Sequence, residues 1–199
     1  MSGSYTEELK VAQEAIRLAA QVCQSVQHAI TTESLAKKDK SPVTVADFAS
    51  QAVICRALQA AFPDDPVIGE EDSAELKTDE AAPFLEKVQS ELGQVGIQAD
   101  ADEICAWIDR GGSHEYASRF WTLDPIDGTK GFLRGEQYAI SLALIVDGKI
   151  DVALLGCPNL PLDPANPESA GTLLFAVRGQ GAWQVSLAGG DPQQIRCSA

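Results

Sequence analysis

Residues 119–157 read RFWTLDPIDGTKGFLRGEQYAISLALIVDGKIDVALLGC. Two long apolar runs, 138–146 and 149–157, flank Asp147-Gly148, a dipeptide that favours a two-residue hairpin turn. A shorter apolar run at 120–124 precedes them, so this stretch predicts three successive antiparallel strands. Toward the C-terminus, 171–178 and 182–186 repeat the strand pattern and extend the meander.

Toward the N-terminus the apolar period changes from that of a strand to that of a helix. Ser4 followed by Glu7 is a capping-box pattern, and Leu9, Ala12, Ile16, Ala19, Ala20, Cys23 and Val26 recur at helical spacing, predicting a first helix that ends near Ile30. A second helix is predicted over about 45–62, with Phe48, Ala52, Cys55, Leu58 and Phe62 on one face and Pro63 as its stop. Between the two, 31–43 carries Lys37, Lys38 and Lys40 with Ser and Pro and no apolar period, and reads as a mobile loop. Residues 66–70 suggest a short strand, and 83–93 and 101–110 two further helices. Helices first and a meander later predict an α+β fold, with two helices packed on an antiparallel sheet.

A chain of 199 residues is long enough to bury a core without disulfide or metal staples. Its 15 Lys and Arg against 29 Asp and Glu leave a net charge of -14, which opposes nucleic-acid backbones and acidic membrane surfaces. If the substrate is a phosphate ester, positive potential must therefore be supplied locally, and a bound cation is the simplest source. The five cysteines, Cys23, Cys55, Cys105, Cys157 and Cys197, form no CxxC pair and read as reduced thiols. With no basic-apolar leader and no run of apolar residues long enough to span a bilayer, the expected location is cytoplasmic.

Three acidic clusters fall where apolar elements end: Asp47, Glu70-Glu71-Asp72, and Asp124-Pro-Ile-Asp127-Gly-Thr129. Mg²⁺ requires oxygen ligands in near-octahedral array, and the third cluster places two carboxylates, an intervening backbone carbonyl and a hydroxyl within six residues. Pro125 sets a bend that lets Asp124 and Asp127 face one point. Gly128 permits close backbone approach to a ligand, and Thr129 falls at the first turn of the next helix, where N–H groups can hold a phosphate. Plainer readings stand beside these. Asp47, three residues after Thr44, also fits a capping box; the acidic triplet also fits a solvated loop; Asp-Pro and Asp-Gly also fit a plain turn. Lys37, Lys38, Lys40, Lys130 and Arg134 read as solvated charges, with a lid over substrate phosphates as the sharper alternative for the first three. His28 and His114 read as surface or helix-end residues, and Trp107, Trp121 and Trp183 as packing residues.

Residues 124–132, DPIDGTKGF, resemble the signature of the inositol-monophosphatase superfamily of lithium-sensitive, Mg²⁺-dependent phosphatases. Val67-Ile-Gly-Glu70-Glu71 resembles that superfamily's second motif and Ser41-Pro-Val-Thr-Val-Ala-Asp47 its first, in the expected order. Within the superfamily, 128–137 together with Gly156-Cys-Pro-Asn159 is most similar to the 3′(2′),5′-bisphosphate nucleotidases. The resemblance implies hydrolysis of 3′-phosphoadenosine 5′-phosphate to AMP and phosphate, with the sulfated analogue as a further substrate, and inositol or sugar phosphates as the rival class. It also implies the site. Glu70, Asp124 and the carbonyl of Ile126 would hold one Mg²⁺, Asp124 and Asp127 would reach a second, Asp47 and Thr129 would orient and deprotonate the attacking water, and the N–H groups of Gly128 and Thr129 would hold the phosphate. Residues 1–199 would then be the N-terminal metal-binding domain, and the family's C-terminal domain, with a further aspartate ligand and most of the nucleotide pocket, would be missing from this chain or supplied by a second one. The alternative to an enzyme is a catalytically silent metal- or partner-binding module, and a chain lacking that domain should self-associate, or need a partner, through the face left bare.

Overall fold

The computed structural model describes residues 5–30, 41–78, 81–114, 117–167, 169 and 171–196. Helix α1 (Thr6–His28) buries Ala12, Ile16, Ala19, Cys23 and their neighbours at helical spacing, as its sequence predicts. Ser4 lies outside the described residues. Tyr5 occupies the N-cap with no side-chain cap, and its hydroxyl instead donates to the Asp151 carboxylate, fastening the helix start to the sheet. His28 is the last residue of the helix.

Helix α2 (Ser41–Ala61) starts four residues before the expected 45. Pro42 falls in its first turn, where a missing N–H costs no helical hydrogen bond. The rest of the expected loop, with Lys37, Lys38 and Lys40, lies outside the described residues. The early start also removes the capping-box reading of Asp47: Thr44 and Asp47 sit inside the helix, beyond the first turn, where backbone N–H groups already have helical acceptors.

Strand β1 (Val67–Ile68) is followed by a 3₁₀ turn (Glu75–Lys77), helix α3 (Ala82–Gln94) and helix α4 (Ala101–Asp109), close to the ranges predicted. A capping box begins α4: Asp100 Oδ1 accepts from the Glu103 N–H at 2.9 Å, and Glu103 Oε2 accepts from the Asp100 N–H at 3.0 Å. Next come β2 (Arg119–Asp127), the short helix α5 (Thr129–Leu133), β3 (Ala139–Val146), β4 (Lys149–Pro161), β5 (Gly171–Val177), β6 (Gly181–Ser186) and β7 (Gln193–Ile195). The hairpin turn between β3 and β4 is the predicted one, with positive φ at both Asp147 (49°) and Gly148 (73°).

The strands form one seven-stranded sheet in the order β1 to β7. β1 runs parallel to β2 and the remaining pairs are antiparallel, so the sheet is mixed where a wholly antiparallel one was expected. The cause is the connection: a crossover through α3 and α4 returns the chain in the same direction, which a tight turn cannot do. β7, a three-residue edge strand too polar to show an apolar alternation, is absent from the sequence reading.

The helices cover one face of this sheet. α1 and α2 pack on each other, α1 on β3 and β4, and α2 on β2. On that side Ile140, Leu142, Leu144, Val152, Leu154 and Leu173 are buried. The opposite face shows register rows of small and apolar residues, among them Thr122, Ala143, Ala153, Ala176 and Ala182 across five strands. It forms an open trough of about 380 Å³ that includes Leu155, 41% exposed. Trp121 stacks on Phe62, Trp183 stacks on Phe175, and Trp107 lies under the Arg56 guanidinium, so all three tryptophans pack. The four described cysteines are buried and free. Among the described residues no helix is long and apolar enough to cross a membrane.

Candidate metal centre and active site

The site grows from an irregularity in β2. In a regular strand, residues three apart point to opposite faces. Here Asp124 pairs with Ser141 and Asp127 with Ala139, so Pro125 and Ile126 together oppose Ile140 alone. This bulge takes up one extra residue and brings Asp124 and Asp127 to the same side. Proline is tolerated at the bulge because a ladder N–H is not required there. Asp124 Oδ1 accepts from the Ile126 N–H at 3.1 Å, which closes the bend, and the buried Ser50 hydroxyl donates to the Pro125 carbonyl at 3.2 Å, which ties it to α2. The bend expected at Pro125 is thus a strand bulge rather than a free turn.

Immediately after Asp127 the chain turns through Gly128, at φ 102° and ψ 39°, into α5. This left-handed conformation favours glycine, and it delivers exposed Thr129 as the first residue of the helix. Across from the bulge, β1 ends at Ile68 and leads into Gly69, Glu70 and Glu71. The Gly69 N–H donates to the Gly111 carbonyl at 2.7 Å, and Ser73 is clamped by both oxygens of Asp109, so this short segment is held at both ends. Asp72 accepts from the Ala74 N–H at 2.9 Å, a local turn contact.

Asp47 on α2 completes the group. Burial pushes its carboxyl up to about 8, and repulsion from Glu71, Glu70 and Asp124 adds to the rise. Asp124 is pushed up to about 6, by burial first and then by Glu70 and Asp127, against the lowering effect of the Ile126 N–H. Asp47 thus faces Glu70, Glu71 and Asp124, and Asp124 faces Glu70 and Asp127, so the five carboxylates are linked through Asp47 and Asp124. Ile126 is buried within the bulge and Gly128 and Thr129 lie at its exposed rim. Among the described residues, however, no three His, Cys, Asp or Glu side chains close around a single point as a finished coordination shell. The donor chemistry of the named groups, carboxylate and backbone oxygen, suits a hard divalent cation.

Three residues near the site are given no role by the sequence reading, although Glu71 falls inside the second motif. Glu71 is the strongest charged neighbour of Asp47, ahead of Glu70. Ser50 and Gln51, three and four positions after Asp47, share its face of α2 and are fully buried. Two polar residues at i+3 and i+4 from an acid, set between apolar positions 48–49 and 52–55, are the sequence signal that points to them.

A family model described as the inositol monophosphatase family matches residues 4–199. A 3′(2′),5′-bisphosphate nucleotidase of Schizosaccharomyces pombe is 44% identical over 92% of this chain and 57% of its own length, and a 3′,5′-bisphosphate nucleotidase 2 of Arabidopsis thaliana is 38% identical over 98% and 62%. Among solved structures, an IMPase of Thermotoga maritima superposes with a TM-score of 0.56 at 19% identity, covering 97% of this chain and 54% of that one. The chain spans little more than half the length of these relatives. Three acidic motifs in one neighbourhood, the α+β fold and a family match over almost every residue agree, and the chain belongs to the inositol monophosphatase family.

Proposed function

We propose that the protein is a Mg²⁺-dependent phosphomonoester hydrolase that removes the 3′-phosphate of 3′-phosphoadenosine 5′-phosphate, giving AMP and phosphate, and that it also accepts the sulfated analogue. The observation that carries the reading is the β2 bulge, which turns Asp124 and Asp127 to one side beside Glu70 and runs directly into the Gly128-Thr129 turn. The family is metal-dependent, and the nucleotidase names of relatives 38–44% identical support the substrate.

In this reading residues 1–199 are the metal-binding domain. Glu70, Asp124, Asp127 and the Ile126 carbonyl are the groups that would hold Mg²⁺. Bound there, the ion supplies Lewis-acid chemistry, neutralising phosphoryl charge and acidifying water. Burial is the first cause that raises Asp47 and repulsion from Glu71, Glu70 and Asp124 adds to it, so neutralising those carboxylates lowers the Asp47 carboxyl and favours the ionised form that takes the proton of the attacking water. Thr129 orients that water from the rim, and the backbone of Gly128 and Thr129 receives the phosphate.

Phosphate release from 3′-phosphoadenosine 5′-phosphate and from inositol 1-phosphate, each with Mg²⁺, tests the proposal. Asp124→Asn should lower the nucleotide activity by more than about 100-fold while circular dichroism stays that of the folded protein. Wild-type turnover in that variant would sink the metal assignment. A higher kcat/KM on inositol 1-phosphate would move the substrate to the rival class. No release from either substrate, with no Mg²⁺ binding heat by calorimetry, would leave a catalytically silent module. Inhibition by Li⁺ is a second expected readout.

A further inference from the structure

Gln51 has no exposed surface, yet it lies on a helix whose other buried residues are nearly all apolar. Its amide is spent entirely on backbone. Nε2 donates to the Glu71 carbonyl at 2.6 Å and to the Ile108 carbonyl at 2.8 Å, and Oε1 accepts from the Glu71 N–H at 3.1 Å. One side chain therefore satisfies both backbone groups of Glu71 and also binds the last turn of α4. The amide has a single workable orientation, because the N–H needs an acceptor and both carbonyls need donors.

The surroundings are shaped to this amide. A Cβ on Gly69 would stand 2.6 Å from Oε1, and a Cβ on Gly111 would stand 2.5 Å from Nε2. Two glycines from different segments thus leave the space that the Gln51 amide occupies, one beside each end of it. Glu70 lies between Gly69 and Glu71, so its backbone is flanked by one residue that makes way for the amide and one that is bonded to it. Asp47, one helical turn before Gln51, shares its face of α2.

We infer that Gln51 is a positioning residue for the metal site: it fixes the backbone immediately after Glu70 relative to α2 and Asp47, and so sets where the Glu70 carboxylate can meet a divalent cation. The inference rests on the proposed metal site. Partners outside the ligand shell act by holding a ligand in place, and removing them typically weakens metal affinity roughly tenfold to hundredfold.

The test is Mn²⁺ binding followed by the paramagnetic resonance signal of the free ion, with competition by Mg²⁺, alongside circular dichroism in chelator. Two variants are compared with wild type. Gln51→Leu removes the amide at similar volume. Gly111→Ala leaves the amide in place but presses on Nε2 from a position that carries no acidic ligand, and it decides the matter if Gln51→Leu does not fold. Each folded variant should bind Mn²⁺ roughly tenfold to hundredfold more weakly than wild type. A residue that merely stabilises the fold would lower the thermal midpoint in chelator and leave affinity per folded molecule unchanged. Wild-type affinity in folded Gly111→Ala and Gln51→Leu would therefore overturn the inference while the metal site stood. Failure of the wild-type protein itself to bind Mn²⁺ in competition with Mg²⁺ would overturn both.

Discussion

Asp47 holds its proton far above the ordinary carboxylate range because it is largely buried among like charges. A raised acid means that the folded state binds a proton which the unfolded state has already released. Stability therefore falls as pH rises from the ordinary carboxylate value toward about 8. Each pH unit in that window costs up to about 1.4 kcal/mol. Asp124, raised to about 6, adds to the slope in the lower part of the window. Urea midpoints of chelator-treated protein should accordingly decline between roughly pH 5 and 8, and Asp47→Asn should remove much of the decline. An unchanged slope in the variant would show that Asp47 is not the buried acid described. The residue types in the three motifs were enough to nominate Asp47, Glu70, Asp124 and Asp127. They named Glu71 only as part of an acidic cluster and did not nominate Gln51, and the link between the two comes from a strand end lying against a helix face twenty residues away in sequence.

A five-residue helix such as α5 cannot persist by its own hydrogen bonds. Its neighbours hold it. Gln27 on α1 donates to the Phe132 carbonyl at 2.8 Å, and Asn159 on β4 donates both to Gln27 Oε1 at 2.9 Å and to the Glu136 carbonyl at 2.6 Å. Gln137 returns a bond to the Asn159 carbonyl at 2.7 Å. The Gly-Cys-Pro-Asn159 stretch, notable in sequence only by resemblance, thus supplies the side chain that joins α1, β4 and the turn after α5. Asn159→Ala should leave Gln27 and the Glu136 carbonyl short of a donor and destabilise the protein by about 1–3 kcal/mol, measured by urea denaturation. A change below about 0.5 kcal/mol would mean that the network is not structural. At this scale the sequence performed well wherever a period was long. The helices at 82–94 and 101–109 and the β3–β4 hairpin fall close to where they were expected. It failed at β7, where three residues carry no period, and at the start of α2, where Pro42 read as a loop signal although it occupies a first turn.

Over the whole molecule the sheet has two unlike faces. One is sealed by α1 and α2; the other presents alanines, Thr122 and Leu155 in an open apolar trough that reaches the Asp124 row. In a solution of the pure protein the surface available to cover this trough is a second copy. Sedimentation of the 199-residue chain should therefore show association that grows with concentration, and Leu155→Lys should weaken it. A monodisperse monomer at the highest soluble concentration would count against this. The net charge of -14 opposes such association at low ionic strength, so added salt should strengthen it.

Local order was set by short-range patterns that act wherever the chain lies. Apolar periods specify helix or strand, Asp147-Gly148 specifies the hairpin, and the DPIDGT order specifies which groups are available to an ion. Where those groups meet depends on contacts between elements remote in sequence. The bulge that turns Asp124 and Asp127 together exists because β2 opposes β3 out of step, and the parallel placement of β1 depends on a crossover of two helices. Likewise Glu70 is aligned by an amide from α2 lodged between two glycines of other segments. Each is a packing outcome, because register, crossover and close approach are properties of pairs of elements.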